Sequence, residues 1–417
     1  MKRFELVIVG GGLAAARAIK GYRTAGGGGR IAVLSKERSL PYHRPPLSKR
    51  FLRGEAEPHD TLVEHEAFYT ENDVELLLGT EAGRVDTRER GVVTSRGTRY
   101  RYGKLLLATG AVPRRLPIEG ADLPGVFTLR SLDDAAAIRA AAGEVRDAVV
   151  VGSGFIGMEA AASLTELGLD VTLVSRDVDL FVQLGSPEIS EHLVTLYRER
   201  GVDVIRAEDV RAFRGRSRVD SVELRSRRAV GAGLAVVGVG VQPEVSFLGG
   251  SGIVVDDGVV VDERFHTVAP DVYAVGDVAR FFDPVFGRRR RLEHWSNANY
   301  QGNLVGQILA GAEGAYDSVS TFFTESFGLT LKVFGDVSRH DDRVARGSFA
   351  DGNAIVFYLE SGRLVGTLHT GQDAATEDAL KLLIRNRAEP QHVRLLADES
   401  VAPAEAFAIR ASVAQAA

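Results

Sequence analysis

The sequence predicts an α/β protein with two open parallel sheets and a C-terminal α+β segment. Three observations predict it. First, two apolar runs, "FELVIVGGG" from Phe4 and "DAVVVGSG" from Asp147, show no polar alternation. That is the pattern of strands buried on both faces of a parallel sheet. Second, each run meets a glycine-rich turn and then an alanine-rich stretch of helical length. Third, each helix is followed by another short strand, "RIAVLS" (Arg30–Ser35) and "DVTLVS" (Asp170–Ser175). The same strand–turn–helix–strand unit therefore occurs twice.

The two turns share a spacing. The first reads Gly10-x-Gly12-x-x-Ala15 and the second Gly152-x-Gly154-x-x-Gly157. In such a turn the first glycine makes the bend and the second lets backbone N–H groups approach a pyrophosphate. The third small residue lets helix and strand pack closely. The phosphates then sit at the positive end of the helix. One such fingerprint is weak evidence, but two in the right strand–turn–helix context are strong. The units are read as two Rossmann-like dinucleotide-binding domains.

Two later strands end in glycine and proline: "LLLATGAVP" (Leu105–Pro113) and "LAVVGVGVQP" (Leu234–Pro243). They read as the passages between domains. "DVYAVGD" (Asp271–Asp277) comes after the second passage, so the first domain is interrupted by the second and then completed. The expected boundaries are 1–112 with 244–318, then 113–243, then 319–417. In the last segment, Asn353–Thr370 reads as a hairpin about Ser361-Gly362. Thr376–Pro390 reads as an amphipathic helix stopped by proline, with Leu380, Leu383 and Ile384 as its core face.

Composition narrows the function. The 417 residues suit two or three domains at roughly 100–200 residues each. The net charge of −5, from 51 basic and 56 acidic residues, argues against a nucleic-acid binder. There is no cysteine, which excludes disulfides, a thiolate-held metal and a thiol nucleophile. No metal site is expected. The first strand starts at "RFELVIV", which leaves no room for a signal peptide, and no apolar run reaches membrane-spanning length. A cytoplasmic protein that neither spans nor anchors to a membrane is expected, as monomer or homodimer.

The two fingerprints, "ATG" and "YAVGD" together resemble the flavoproteins with two dinucleotide-binding domains. "LPYHRPPLSK" (Leu40–Lys49), "LRSLDDA" (Leu129–Ala135), "GFIGMEAA" (Gly154–Ala161) and "EHWSNANYQG" (Glu293–Gly302) narrow this. They are similar to the ferredoxin-reductase branch, with putidaredoxin and rubredoxin reductases, oxygenase-coupled ferredoxin reductases and apoptosis-inducing factor. The resemblance spans essentially the whole chain. It implies FAD on the first unit and NADPH or NADH on the second.

The resemblance also implies site residues. Toward FAD these are Gly10, Gly12, Ala14, Ala15, Lys49, Ala82 and Arg130, then Gly276, Asp277 and Trp295. Arg44 and Pro45 from "YHRPP", Ala108, Thr109 and Gly110 from "ATG", and Glu293 from "EHW" join them. Lys36 stands where the branch usually has an acid for the adenosine ribose; the neighbouring Glu37 is expected to substitute for it. Asp277 ends a buried strand, where a carboxylate accepts hydrogen bonds from sugar hydroxyls; a helix cap is the compatible alternative. Arg130 offers a guanidinium fork to the pyrophosphate; a surface salt bridge is its alternative.

On the nicotinamide side the resemblance implies Gly152, Gly154, Ile156, Gly157 and Gly240. Phe155 matches an aromatic that covers the flavin. Lys49 and Glu159 match a Lys–Glu pair near the reactive flavin nitrogen, where a cation stabilises negative charge. His294 matches an active-site histidine of the apoptosis-inducing-factor group. Phe323, in "FFTE", stands where the branch often has a tryptophan. Lys49, Phe155, Glu159 and His294 are the catalytic candidates.

The second strand of the nicotinamide unit ends "VTLVSRD". Ser175 occupies the place of the acid that reads a ribose 2′-hydroxyl, and Arg176 follows. An arginine suits a 2′-phosphate, which an acid would repel. NADPH is therefore favoured slightly over NADH, with Asp177 as the opposing observation.

Without cysteine, electrons must pass from the flavin directly to an external acceptor. The resemblance implies a ferredoxin-like or rubredoxin-like partner serving an oxygenase or cytochrome P450. Arg288, Arg289, Arg290 and Arg291 just precede the presumed flavin segment. They read either as a basic rim that steers an acidic partner or as a solvated hairpin tip. Two other functions stay open: a redox-sensing protein resembling apoptosis-inducing factor, and a reductase of a small acceptor such as a quinone.

Overall fold

A computed structural model describes residues 2–407. The last ten positions of the expected segment 319–417 lie outside them. The described chain forms two compact units, residues 2–176 with 201–317 and residues 177–200 with 318–407.

The first unit carries both parallel sheets. In the larger, strands Val74–Leu77, Ile31–Leu34, Lys2–Val9 and Arg99–Leu107 lie side by side in parallel. Gly91–Thr94 and Ala82–Asp86 extend the sheet as antiparallel strands. Val272–Ala274 returns late in the chain and pairs in parallel with Arg99–Leu107. That returning strand is the start of "YAVGD". In the other sheet all neighbours are parallel: Asp203–Ile205, Asp170–Val174, Asp147–Val151, Leu234–Val237 and Val126–Thr128.

The apolar runs form these strands because both faces are covered. Leu6, Val7 and Ile8 are fully buried, as are Val149 and Val150. The passages between the sheets also pair: Ala111–Pro113 lies antiparallel to Val241–Pro243. Alanines keep the fingerprint helices close to their sheets, with Ala15, Ala16 and Ala18 buried on one and Ala160 and Ala161 on the other.

The second unit has a five-stranded antiparallel sheet, in the order Thr321–Ser326, Leu329–Gly335, Arg363–Thr370, Asn353–Glu360 and Asp342–Ser348. The expected hairpin is present, and Ser361 at its tip has a positive φ of 53°. The expected helix is shifted. It spans Ala374–Arg385, begins at the Asp373 cap and ends before Arg387 turns left-handed at φ 47°. The stop is therefore backbone geometry ahead of Pro390. Leu380 and Ile384 are buried as expected, and Leu383 is half-buried. Helix Pro187–Glu199 belongs to this unit: Tyr197 meets the Phe327 ring edge-on at 4.9 Å, and Tyr358 donates to the Leu184 carbonyl at 2.5 Å.

Candidate functional site

Helix Leu13–Thr24 starts directly at the first fingerprint. Gly10 has φ +114°, and a Cβ there would lie 2.1 Å from the Ala108 carbonyl oxygen. Only glycine fits. Gly12 caps the helix with no side-chain bond, and space beside it is open. The first N–H groups of the helix thus face a cradle that suits an anion. Ala14 and Ala15 are buried beneath it.

Beyond the next strand, Lys36 pairs with Glu81 at 2.7 Å, both exposed. Glu37 is engaged differently. It accepts from Arg44 Nη2 at 2.6 Å and from the Tyr42 hydroxyl. Burial pushes its carboxyl up, but Arg44 and Tyr42 outweigh that and hold it below the usual range. Arg44 also donates to the Arg130 carbonyl, and Pro45 opens the short helical turn Pro45–Ser48. The spacing YxR could have signalled this Tyr42 contact; the sequence reading missed it.

Arg130 Nη2 and Asp277 Oδ2 are 2.7 Å apart. Arg130 Nη2 also lies close to Gly110, which with Ala108 and Thr109 forms the adjoining turn. The Thr109 hydroxyl donates to the Glu244 carbonyl at 2.7 Å. Arg130 Nε is buried and finds no partner among the described residues. A guanidinium with an orphaned N–H beside an uncapped helix start suits a bound pyrophosphate. Gly276 precedes Asp277 and donates to the Gln301 side chain at 2.9 Å. Ala82 starts the edge strand of the sheet.

The lone tryptophan opens helix Trp295–Leu309, and His294 is its cap residue. Trp295 Nε1 donates to His43 Nδ1 at 2.9 Å, with the rings 5.6 Å apart. The indole stays 37% exposed, so one face is available. Burial lowers the His294 pKa to about 4, against the opposing pull of Asp277. Although part of its surface is open, it is crowded enough to stay neutral at pH 7. Burial raises the Glu293 carboxyl despite its ion pair with Arg291.

The second fingerprint is tighter. Gly154 caps helix Phe155–Glu166, again with no side-chain bond. A Cβ on Gly157 would lie 1.9 Å from the Gly152 carbonyl oxygen. Phe155 begins the helix, and Ile156 beside it is 41% exposed. One turn on, Glu159 is buried and its Oε1 lies 2.7 Å from Lys49 Nζ. Its other oxygen accepts from the Ser48 hydroxyl at 2.5 Å. Ser48 was not foreseen, although it adjoins Lys49. Ser175 is buried and bonds Ser153 at 2.8 Å, so its hydroxyl is directed into the glycine turn; Arg176 beyond it is exposed. Gly240 bends the exit strand at φ +92°.

The arginine run is a hairpin, not a free fringe. Strand Arg288–Arg290 pairs with Ala279–Asp283. Arg290 is ion-paired at 2.9 Å to Asp283, which is completely buried. Arg291 is mostly covered and pairs with Asp257 at 3.1 Å and with Glu293. Arg289 is the exposed member, and it donates to the Val261 carbonyl. Phe323 lies in the second unit, on strand Thr321–Ser326, and is 47% exposed. Among the described residues no cluster of histidine and carboxylate side chains could hold a metal, and no helix is long and apolar enough to cross a membrane.

Residues 4–302 match the pyridine nucleotide-disulphide oxidoreductase family, and residues 321–406 match the reductase C-terminal family. The chain belongs to the pyridine nucleotide-disulphide oxidoreductases. Within that family, the ferredoxin reductase subunit of a 5,5′-dehydrodivanillate O-demethylase from Sphingobium sp. is 36% identical, over 88% of this chain and 89% of its own. Putidaredoxin reductase from Pseudomonas putida is 31% identical over 95% of each chain. In a solved covalent complex of putidaredoxin reductase with putidaredoxin, the matching chain superposes with a TM-score of 0.90, at 30% identity and over 96% of each chain. The resemblance drawn from the sequence motifs is thus the family found.

Membership implies FAD and NAD(P)H. The residues present fit both: two uncapped helix starts, glycines that no side chain could replace, and the orphaned Arg130 N–H. One departure from the family's name matters. With no cysteine, this member has no redox-active disulfide.

Proposed function

We propose that this chain oxidises NADPH, or NADH less readily, and delivers the electrons to a small ferredoxin-like or rubredoxin-like iron–sulfur protein of an oxygenase or cytochrome P450 system. In this reading residues 1–112 and 244–318 hold FAD and residues 113–243 hold the nicotinamide nucleotide. It places the enzyme in the cytoplasm. Bound FAD supplies the hydride acceptor that can release electrons singly.

The buried Lys49–Glu159 pair carries the reading. It joins the "PPLSK" segment to helix Phe155–Glu166, which starts at the second glycine fingerprint. Glu159 fixes the Lys49 ammonium, and Lys49 would then offer positive charge to the negative charge that a bound flavin gathers on reduction. Gly10, Gly12 and Arg130 would hold the FAD pyrophosphate, with Asp277 and Trp295 ordering the rest of the cofactor. Phe155 would cover the ring until a nicotinamide displaces it. His294, neutral at pH 7, adds no competing charge.

The absence of cysteine supports an external acceptor, and the relatives reported above are by name a ferredoxin reductase subunit and a putidaredoxin reductase. The test is rapid mixing of the FAD-loaded protein with NADPH, then with a [2Fe–2S] ferredoxin. Fast reoxidation of the flavin by the ferredoxin is expected. A reduced-flavin–nicotinamide complex that persists in its presence would contradict the assignment and favour the redox-sensor alternative.

A further inference from the structure

The backbone of His43 is held from both sides. Its N–H donates to the Thr61 carbonyl at 2.7 Å, and Val63 N–H donates to the Pro41 carbonyl at 2.9 Å. Residues 41–43 therefore run antiparallel to residues 61–63, with Tyr42 opposite Leu62. The neighbours of His43 are engaged too. The Tyr42 hydroxyl accepts from Leu132 N–H at 3.1 Å, and Arg44 pairs with Glu37. From this fixed backbone the His43 ring meets helix Trp295–Leu309 at its first residue.

Trp295 Nε1 lies 2.9 Å from His43 Nδ1, and the two ring planes are tilted by 48°. The tilt excludes face-to-face stacking, so the contact is the hydrogen bond. An indole N–H can only donate, so His43 Nδ1 must carry a lone pair. Neutral His43 then has its proton on Nε2. A second proton would set N–H against N–H and break the bond.

The surrounding charges favour the neutral form. Arg17, on helix Leu13–Thr24, donates from Nη1 to Glu64 Oε1 at 3.0 Å and from Nε to Asn299 Oδ1 at 2.8 Å. Lys20, on the same helix, donates to the same Glu64 oxygen at 3.1 Å. One negative charge thus faces two positive ones. Tyr69, beside Glu64 and Arg17, is a buried phenol that burial keeps neutral. Burial lowers the His43 pKa, Arg17 adds to that and Glu64 opposes it. At pH 7 the ring is neutral. Asn299 lies one helical turn beyond Trp295, so Arg17 anchors the same helix end that His43 meets.

We propose that His43, in its neutral Nε2–H form, is a positioning residue that holds the Trp295 indole in one orientation beside the flavin. This rests on the reading of Trp295 as part of the FAD site and deepens it. The indole is 37% exposed. Without its acceptor the N–H turns to water and the ring leaves its place. Electron delivery to an iron–sulfur acceptor, which needs an ordered surround at the flavin edge, then slows.

The experiment uses the FAD-loaded protein labelled with nitrogen-15. With one tryptophan it gives one indole N–H resonance. In wild type that resonance should lie downfield and move upfield on acidification, with a midpoint below the usual histidine value of about 6.5. His43→Asn keeps an acceptor near the Nδ1 position but cannot titrate, so its resonance should stay downfield throughout. His43→Phe keeps a ring but no acceptor, so its resonance should lie upfield at every pH. Reduction of a [2Fe–2S] ferredoxin at neutral pH should slow about fivefold in His43→Phe, the equilibrium worth of one ordinary hydrogen bond. His43→Asn should restore most of that rate and lose the acid limb of its pH profile that wild type shows. A wild-type resonance unmoved by acid, or unmoved by His43→Phe, would overturn the hydrogen bond. Equal ferredoxin rates and equal pH profiles in all three proteins would overturn the positioning role. An indole resonance indifferent to removal of FAD would instead overturn the placement of Trp295 in the cofactor site.

Discussion

Lys49 Nζ and Glu159 Oε1 stand 2.7 Å apart, with only 14% and 5% of their side chains exposed. A buried ion pair is poor value for stability, because desolvation offsets most of the attraction. Its presence between the "PPLSK" segment and helix Phe155–Glu166 is better explained by chemistry. Glu159→Gln keeps the size of the group and a contact for the Ser48 hydroxyl, but leaves the Lys49 charge uncompensated. Loss of about 1–3 kcal/mol of stability is expected, measured by urea unfolding. Flavin reduction by NADPH should slow at least tenfold in stopped-flow traces. Lost stability with unchanged flavin reduction would make the pair merely structural.

Trp295 is the only tryptophan, so its fluorescence reports on one place. Its N–H is spent on His43 and its indole is partly exposed. An indole beside bound flavin transfers its excitation and goes dark. Emission should therefore rise several-fold when FAD is removed and fall again on reconstitution. Equal emission with and without FAD would take Trp295 out of the cofactor site.

Gly157 tests the second fingerprint separately from the first. The Cβ of Gly157→Ala would lie 1.9 Å from the Gly152 carbonyl oxygen, so the turn or the helix must shift. Nucleotide affinity should drop at least tenfold in calorimetry while the FAD content, read from the visible spectrum, stays near one per chain. Loss of FAD instead would mean that the two nucleotide sites are not divided as proposed.

The sequence made the parallel sheets legible because strands buried on both faces and glycine turns leave strong local signals. Gly10 and Gly157 could be read at once: steric demands on a backbone turn are written in single residues. The late "YAVGD" was legible as a buried strand, and it pairs in parallel with Arg99–Leu107. Pairings among long side chains were not. Nothing local announces that Arg130 meets Asp277 across 147 positions. The arginine run shows the same limit. Four like charges read equally well as a rim or a tip, and the deciding fact, Asp283 buried beneath Arg290, is a tertiary one.

That arrangement divides the run by effect. Arg290→Ala strands the buried Asp283 carboxylate, whose pKa burial already raises. A cost of about 3–5 kcal/mol is expected, read from the unfolding midpoint. Arg289→Glu changes an exposed position. It should slow reduction of an acidic ferredoxin severalfold at low salt, with the difference shrinking as salt screens it. A ferredoxin rate indifferent to that charge reversal would move the docking surface elsewhere.

In the second unit His369 has no exposure, and its Nε2 is 3.8 Å from Glu377, which already holds Lys332 at 2.5 Å. Its ring meets Phe334 edge-on at 4.5 Å, and Lys381 lies over the other ring. Burial lowers its pKa to about 4, Glu377 opposing and the two lysines assisting. The unfolded chain therefore binds this proton first, from about pH 6.5 downward. Between that pH and about 4 the unfolded state is increasingly favoured, and above it the folded state keeps its full stability. The effect is on the order of 3 kcal/mol for one such histidine once the pH has fallen through both values. His294 acts in the same direction. The melting temperature should be level above pH 7 and fall steadily from 6.5 to 4. His369→Leu should flatten part of that fall without abolishing it. A variant with the wild-type slope would show that His369 is protonated in the folded protein, with Glu377 winning over burial.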